Sequence, residues 1–392
     1  MISRLVNKLH AGLYRQWFGW LALKRPPKAE PIVLTGSSRV LVFSCAGIGD
    51  TLTDSVAIKA LGETFPGIHI AVVVHHRRRP LVEHNPHVGE IFTIRKGLLA
   101  FWSLHKKLKA AGPWDAIVHL RGNDPEPRCQ SFLLGPNVTV STPNMTQLSH
   151  LCGHTVEQPD WDQTHGVEQT LRLVRYIGAD TPTPTLVYMV KPEEKIALER
   201  HPEIVKLSAK SRLVLQIGGG RRASWRDWPE ERWAQFIDLA ASELDAAIIL
   251  LGGRDNLDRA GRIRHLLHQI QVSRLARASG EDIGSIKPRI SLPIFDLVGK
   301  LSLTESAVLL ASARAVVSTD TGIMHLAFAV GARVVALIHC NNPANRVGPY
   351  AYGHHHAVVQ LERPANYRSP KDASMENIAA ETVLEKVKEI WQ

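Results

Sequence analysis

Four stretches of this chain set chemically able side chains beside glycines or helix starts. The first is Gly47-Ile48-Gly49-Asp50, where two glycines let the backbone approach a ligand and a carboxylate follows. A carboxylate there can take a proton from a hydroxyl. It can equally serve as a helix N-cap, a position that aspartate favours. The second is Gly218-Gly219-Gly220-Arg221-Arg222-Ala223-Ser224-Trp225-Arg226-Asp227-Trp228-Pro229. A glycine-rich basic loop that feeds a helix start suits an anion, because free amides and the helix dipole face the ligand; the plain alternative is a solvated basic loop. The third is Ser318-Thr319-Asp320-Thr321-Gly322 with Met324-His325, where the Thr321 and Gly322 amides can hold a phosphate and Asp320 can cap the helix or hold a hydroxyl. The fourth, Asp296-Leu297-Val298-Gly299-Lys300-Leu301-Ser302-Leu303, leads into a helix.

Other groupings carry less. Asp160-Trp161-Asp162 spells the DxD by which some transferases hold a nucleotide-bound cation, but no buried strand precedes it, and it reads as a surface loop. His150, Cys152 and His154 alternate without a paired CxxC, and His354 to His356 form a bare run, so no metal site is assigned. His75-His76-Arg77-Arg78-Arg79 closes an apolar run; arginine clusters recognise phosphates and carboxylates, and they also make solvated loops.

The elements that must position these residues alternate. Arg39 to Ser44, Ile68 to Val74 and Ala116 to Leu120 read as buried strands, with a helix from Asp54 to Phe65 between the first two. The pattern restarts with a strand at Leu213 to Ile217, a helix from Pro229 to Leu244 and a strand at Ala246 to Leu251, which ends at Gly252-Gly253. Helices at Leu303 to Ala313 and Ile323 to Val330 alternate with strands at Ala315 to Ser318 and Arg333 to Ile338, and Met375 to Trp391 closes the chain as a helix. Two such series predict two parallel, doubly wound α/β domains. In open sheets of this kind ligands bind outside the carboxyl ends of the strands, where the glycine-rich motifs fall. The expected division is an N-terminal segment and linker at 1–36, one domain at 37–190, a linker at 191–210, a second domain at 211–368 and a C-terminal helix at 369–392.

Composition sets the class. With 392 residues, 44% hydrophobic and 21% charged, the chain can bury two cores and is not disordered overall. Its 47 basic and 37 acidic residues leave a net charge of +10, which fits an anionic partner. Four widely spaced cysteines exclude a disulfide scaffold and fit a reducing compartment. No apolar run is long enough to span a membrane. Residues 1–29 contain no acid but carry Arg4, Lys8, Arg15, Lys24, Arg25 and Lys28, with Ile2, Leu5, Leu9, Leu13, Trp17, Trp20 and Leu21 along a helical stripe. Two readings fit: an interfacial helix whose cations face anionic lipid, or a helix packed on the protein's own surface.

Taken together, GIGDTLTDSVAIKALGETFPG, NPHVGEI, WPEERW, LLGG, DLVGKLSL, STDTGIMHLAFAVGARVVALI and the GPY of Gly348 to Tyr350 resemble glycosyltransferase family 9, the ADP-heptose:lipopolysaccharide heptosyltransferases. The resemblance implies a GT-B fold, two Rossmann-like domains facing a central cleft, the first holding acceptor and the second nucleotide-sugar. It implies Asp50 as the catalytic carboxylate. It also implies donor contacts from Gly218, Gly219, Arg222, Arg226, Gly252, Lys300, Asp320, Thr321, Gly322 and His325, with Arg226 where the family usually has a phosphate-binding lysine. Gly47, Gly49, Arg77, Arg78 and Arg121 are the candidate acceptor contacts. The implied activity is inverting heptose transfer from ADP-heptose to an anionic lipopolysaccharide-core acceptor, with neither metal nor cofactor and no nucleic acid. The N-terminal segment would hold the enzyme at the cytoplasmic face of the inner membrane. His339-Cys340-Asn341-Asn342 departs from the family's Gly-Pro-Thr-like turn. Two alternatives are a member with another nucleotide-sugar or a protein acceptor, and a catalytically silent GT-B-like scaffold.

Overall fold

The computed structural model describes residues 12, 14, 16–122, 124–143, 148–206, 211–219, 221–279, 294–350 and 355–392. The chain divides between Met189 and Val190 into two compact units. The first holds β1 (Arg39–Ser44), β2 (His69–His75), β3 (Glu90–Ile94), β4 (Ala116–Arg121), β5 (Val138–Ser141) and β6 (His154–Thr155), in the order β3-β2-β1-β4-β5-β6. The second holds β7 (Ser211–Gln216), β8 (Ala246–Leu251), β9 (Ile294–Asp296), β10 (Ala315–Thr319), β11 (Val334–Ile338) and β12 (His356–Gln360), in the order β12-β11-β10-β7-β8-β9. Every pairing is parallel. Helices cover both faces of such sheets, so strands like Val334–Ile338 are buried along their whole length and read as unbroken apolar runs.

Both sheets share one winding. The first strand of each unit lies centrally, and the order reverses between it and the unit's fourth strand, so the switch points are β1/β4 and β7/β10. A doubly wound sheet opens its ligand crevice there, at the strands' carboxyl ends. Each unit is Rossmann-like, and a chain of two such parallel α/β units is what a GT-B-like fold contains.

Several boundaries differ from those expected. The helix after β1 runs Ile48–Thr64 and so includes Asp50. Its early turns bury Thr51, Thr53, Asp54 and Ser55 together with apolar neighbours, and a helix buried nearly all round gives no one-sided apolar stripe to read. The last helix is Ala380–Trp391, preceded by a separate turn at Met375–Asn377 that Ser374 caps. It is part of the second unit's core, where Val383, Leu384, Val387 and Ile390 pack with Trp228, Trp233 and Phe236. Residues 191–210, expected as linker, contain the Pro192–Glu199 helix.

The N-terminal helix is described through residues 16–24. Phe18 is fully buried in a cluster with Tyr14, Phe101, Cys129, Leu148 and Leu151, so one face packs on the first unit. The other face leaves Trp17 50% and Trp20 52% exposed, with Leu23 more exposed still. Ile2, Leu5, Leu9 and Leu13, the start of the expected stripe, lie outside the described residues. Among the described residues no helix is long and apolar enough to cross a membrane.

Candidate active site

In the first unit, chemistry gathers at the β1/β4 switch point. Gly47 is the N-cap of the Ile48–Thr64 helix, and its N–H donates to Asp50 Oδ2 at 2.8 Å. A Cβ on Gly47 would lie 2.8 Å from that same oxygen, so glycine here lets the carboxylate lie this close to the turn. Arg121, the last residue of β4, donates from Nη1 to Asp50 Oδ1 at 3.0 Å. The pairing register slips between Phe43 and Ser44, which sets Ser44 opposite Arg121 and turns its guanidinium toward the helix start. Arg121 also donates to Gly166 O and, at 3.1 Å, to Gln169 Oε1. Asp50 keeps its side chain 40% exposed, accessible to a ligand although hydrogen-bonded on both oxygens.

A second carboxylate lies one helical turn further. Asp54 is fully buried, accepts from Ser44 Oγ at 2.6 Å, and has Oδ1 3.5 Å from Arg121 Nε. Burial pushes its carboxyl up to about 7, against the opposing pull of Arg121 and Ser44. Arg121 thus stands between two aspartates, one half-exposed and one dry.

A cavity of about 760 Å³ opens here, lined by Asp50, His119, Arg121, Arg128, Thr142, Trp161 and Asp162 among others. Its size is that of a small-molecule site. His119 stacks on Phe43 and meets Ser131 Oγ at 2.6 Å, and burial holds its pKa well below the ordinary histidine value, so the ring is neutral. The DxD is split. Asp160 is clamped by both terminal nitrogens of Arg172, a pairing that holds its carboxyl far below the usual range, while Asp162 faces the cavity. Among the described residues no three His, Cys, Asp or Glu side chains converge as metal ligands.

The second unit repeats the logic at β7/β10. After β7, Gly219 N–H donates to Asp227 Oδ1 at 2.8 Å, and Arg259 Nη2 donates to Asp227 Oδ2 at 3.2 Å, folding the loop back on itself. After β10, Thr321 caps the Gly322–Ala329 helix, its Oγ1 accepting from Met324 N–H at 3.4 Å. Arg226 Nη1 donates to Asp320 Oδ2 at 2.7 Å, which joins the two loops into one wall. Asn342 Nδ2 donates to the same oxygen at 2.6 Å. Arg226 Nε is buried without an acceptor. The wall therefore offers a fixed guanidinium and a short helix start, a set of donors suited to a diphosphate.

A model of glycosyltransferase family 9 (heptosyltransferase) matches residues 146–379, more than half of the chain. The chain belongs to glycosyltransferase family 9. As a family-9 glycosyltransferase it also has relatives among solved structures. A family 9 glycosyl transferase from Veillonella parvula DSM 2008 is 16% identical with a TM-score of 0.73, covering 90% of this chain and 97% of its own. The E. coli ADP-heptose lps heptosyltransferase II is 18% identical at a TM-score of 0.71, with 90% and 98% covered. E. coli heptosyltransferase WaaC with ADP is 20% identical at 0.66, with 90% and 99% covered. At these identities the likeness is one of fold. No curated protein matches the chain.

The remaining residues of the glycosyltransferase singled out from sequence fall as follows. Gly49 lies in the first turn of the helix that carries Asp50. Arg77 and Arg78 form the turn His76–Arg78 after β2, and neither lines the Asp50 cavity. Gly218 and Gly219 pack against Arg259, Asn256 and Thr321. The side chain of Arg222 lies outside the described residues. Gly252 follows β8 and accepts from Gly299 N–H at 2.9 Å. Lys300 lies 3.7 Å from Glu203. His325 is buried one turn into the helix that Thr321 caps, stacked edge-on to Phe328. Sequence reasoning missed Asp54, Arg128, Arg259 and Asn342. Asp54 lies inside the GIGDTLTDSVAIKALGETFPG stretch but reads in sequence only as the start of a helix, and Arg128 falls in the Glu126–Leu134 helix, which the sequence reading did not include. Asn342 lay in the stretch set aside as a departure from the family.

Proposed function

We propose that this glycosyltransferase moves heptose from ADP-heptose to an anionic acceptor of the lipopolysaccharide-core type, with inversion at the transferred carbon. The observation that carries the reading is Asp50, half-exposed at a sheet switch point on the wall of a ligand-sized cavity, its oxygens fixed by Gly47 N–H and Arg121. The solved E. coli relative named ADP-heptose lps heptosyltransferase II supports this donor and acceptor class. In this scheme Asp50 takes the proton of an acceptor hydroxyl as its oxygen bonds to the anomeric carbon. The bond from that carbon to the diphosphate breaks and ADP leaves. Arg121 orients the base. Arg226 and the amides at Thr321 and Gly322 take up the charge that develops on the diphosphate, without a metal. Gly218, Gly219 and Gly252 give the nucleotide backbone-close approach, and His325 lines the same end of the sheet.

The N-terminal helix serves, in the same reading, as a membrane contact at the cytoplasmic face of the inner membrane. Trp17, Trp20 and Leu23 face outward on this helix, while its buried Phe18 packs on Phe101 of the Leu98–Ala111 helix, which itself exposes Leu98, Leu99 and Trp102. Lys24, Arg25 and Lys28 follow in sequence, the mix of aromatics and cations that suits an anionic interface. The deciding experiment incubates the pure protein with ADP-heptose, UDP-sugars and truncated lipopolysaccharide and measures released nucleotide. Release from ADP-heptose that depends on acceptor is expected; release only from a UDP-sugar overturns the donor assignment.

A further inference from the structure

Arg128 stands in the first turn of the Glu126–Leu134 helix, 3% exposed, on the wall of the Asp50 cavity. Its charge is poorly matched there. Nη1 donates one long bond of 3.4 Å to Gly122 O, and Nε is buried with no acceptor. Among the described residues no carboxylate pairs with it, although Glu126 shares its turn. No side chain caps this helix, and a cation at a helix start meets the positive end of the dipole. Burial pulls its pKa down, yet a guanidinium stays protonated in proteins. Arg121 is the contrast: its terminal nitrogens donate to Asp50, Gly166 and Gln169, and its Nε, also without a hydrogen bond, lies 3.5 Å from the Asp54 carboxylate. Among the described residues the cavity thus contains one cation paired with carboxylates beside the base, and one with no carboxylate partner apart from it.

We propose that Arg128 receives an anionic group of the acceptor, a carboxylate or a phosphate carried on the same sugar as the reacting hydroxyl or on its neighbour. This rests on the reading of the cavity as the acceptor site. Buried charges are held in proteins by a partner, and the missing partner here is the ligand. Asp50 and Asp162 bring negative charge to the other walls, so the anion is directed to Arg128 and the hydroxyl is left for Asp50. Thr142 adds a hydroxyl and Trp161 an aromatic face for a sugar ring.

The test uses the full chain carrying Arg226→Ala, which weakens anion binding in the second unit. Inorganic phosphate and glucuronate are titrated in separate arms, by calorimetry and by melting temperature. Binding in at least one arm is expected, phosphate alone marking a phosphate site and glucuronate alone a carboxylate site. Adding Arg128→Met should abolish that binding and leave the anion-free melting temperature no lower, because an unmatched buried charge has gone. Should Arg128→Met fail to fold, Arg128→Lys keeps the charge but loses the fork, and its binding should fall at least tenfold. Equal binding with and without the Arg128 change, or none in either arm, overturns the proposal. In the otherwise wild-type enzyme, Arg128→Met should raise KM for the charged acceptor ten- to a hundredfold and leave kcat within a few fold. Anion binding is measured without turnover, so it stands or falls separately from the heptosyl-transfer reading.

Discussion

Replacing Asp54 by Asn should change how the first unit's stability depends on pH. Asp54 is wholly buried and its carboxyl is raised from 3.8 to about 7 by loss of water. Between those values the folded chain binds a proton that the unfolded chain releases, so stability falls as pH rises through the window and levels off above about 7. One pH unit is worth about 1.4 kcal/mol, which gives about 2–3 kcal/mol lost between pH 5 and 7. Asn has nearly the same shape, can still bond Ser44 Oγ, and does not ionise. Other carboxylates titrate equally in both proteins, so the informative quantity is the difference between variant and wild type. For a unit of this size it should move in favour of Asp54→Asn by about 5–10 °C in melting temperature from pH 5 to 7. Scanning calorimetry or circular-dichroism melts at half-unit pH steps would follow it. A difference that stays flat, or a variant less stable than wild type at pH 8, would mean that Asp54 is ionised and fully balanced by Arg121, and the argument would fail.

Three further outcomes are expected. Asp50→Ala should lower kcat by about 10²–10⁴-fold, the worth of a positioned base, with ADP affinity nearly unchanged by calorimetry; near wild-type turnover in a folded variant would remove Asp50 from the chemistry. Arg226→Ala should weaken ADP binding by about 1.5–3 kcal/mol, and EDTA should leave activity intact, whereas full inactivation by the chelator would bring a metal back into consideration. Trp17→Ser with Trp20→Ser and Leu23→Ser should release the protein from anionic liposomes in a sedimentation assay and spare activity on a soluble acceptor, because the buried Tyr14 and Phe18 are untouched; unchanged sedimentation would refute the membrane contact.

Much of this was readable in the chain because parallel strands buried on both faces leave continuous apolar runs, and because glycines mark where the strand ends meet ligands. Arg39–Ser44 and Ala246–Leu251 show the first effect. Gly47 and Gly219 show the second, each giving its N–H to an aspartate later in the same motif. What stayed hidden was pairing across the fold. Nothing local ties Arg121 to Asp50 or Arg226 to Asp320, since those contacts exist only once sequence-distant strands lie side by side. The short, partly exposed Glu90–Ile94 and His154–Thr155 strands were also missed, having too little buried length to stand out. Sequence alone showed one stripe through Trp17, Trp20 and Leu21 and left open whether it meets lipid or protein; the helix packs instead through Tyr14 and Phe18, which the stripe did not include, and turns Trp17 and Trp20 outward.

The Ala380–Trp391 helix bears on how this protein is made. Trp228, at the end of the glycine-rich loop after β7, donates its indole N–H to Ile378 O at 3.0 Å, and Arg314 and Arg333, flanking β10 and β11, bond the carbonyls of Trp391 and Ile390. The loop after β7 is therefore anchored by residues synthesised long after it. During translation the first unit can settle while the second waits, its tryptophans uncovered, until the ribosome has released this helix. A premature stop shortly before it would leave a chain with a sound Asp50 cavity and an unfinished second unit, a product that chaperones and proteases would meet as a half-folded protein.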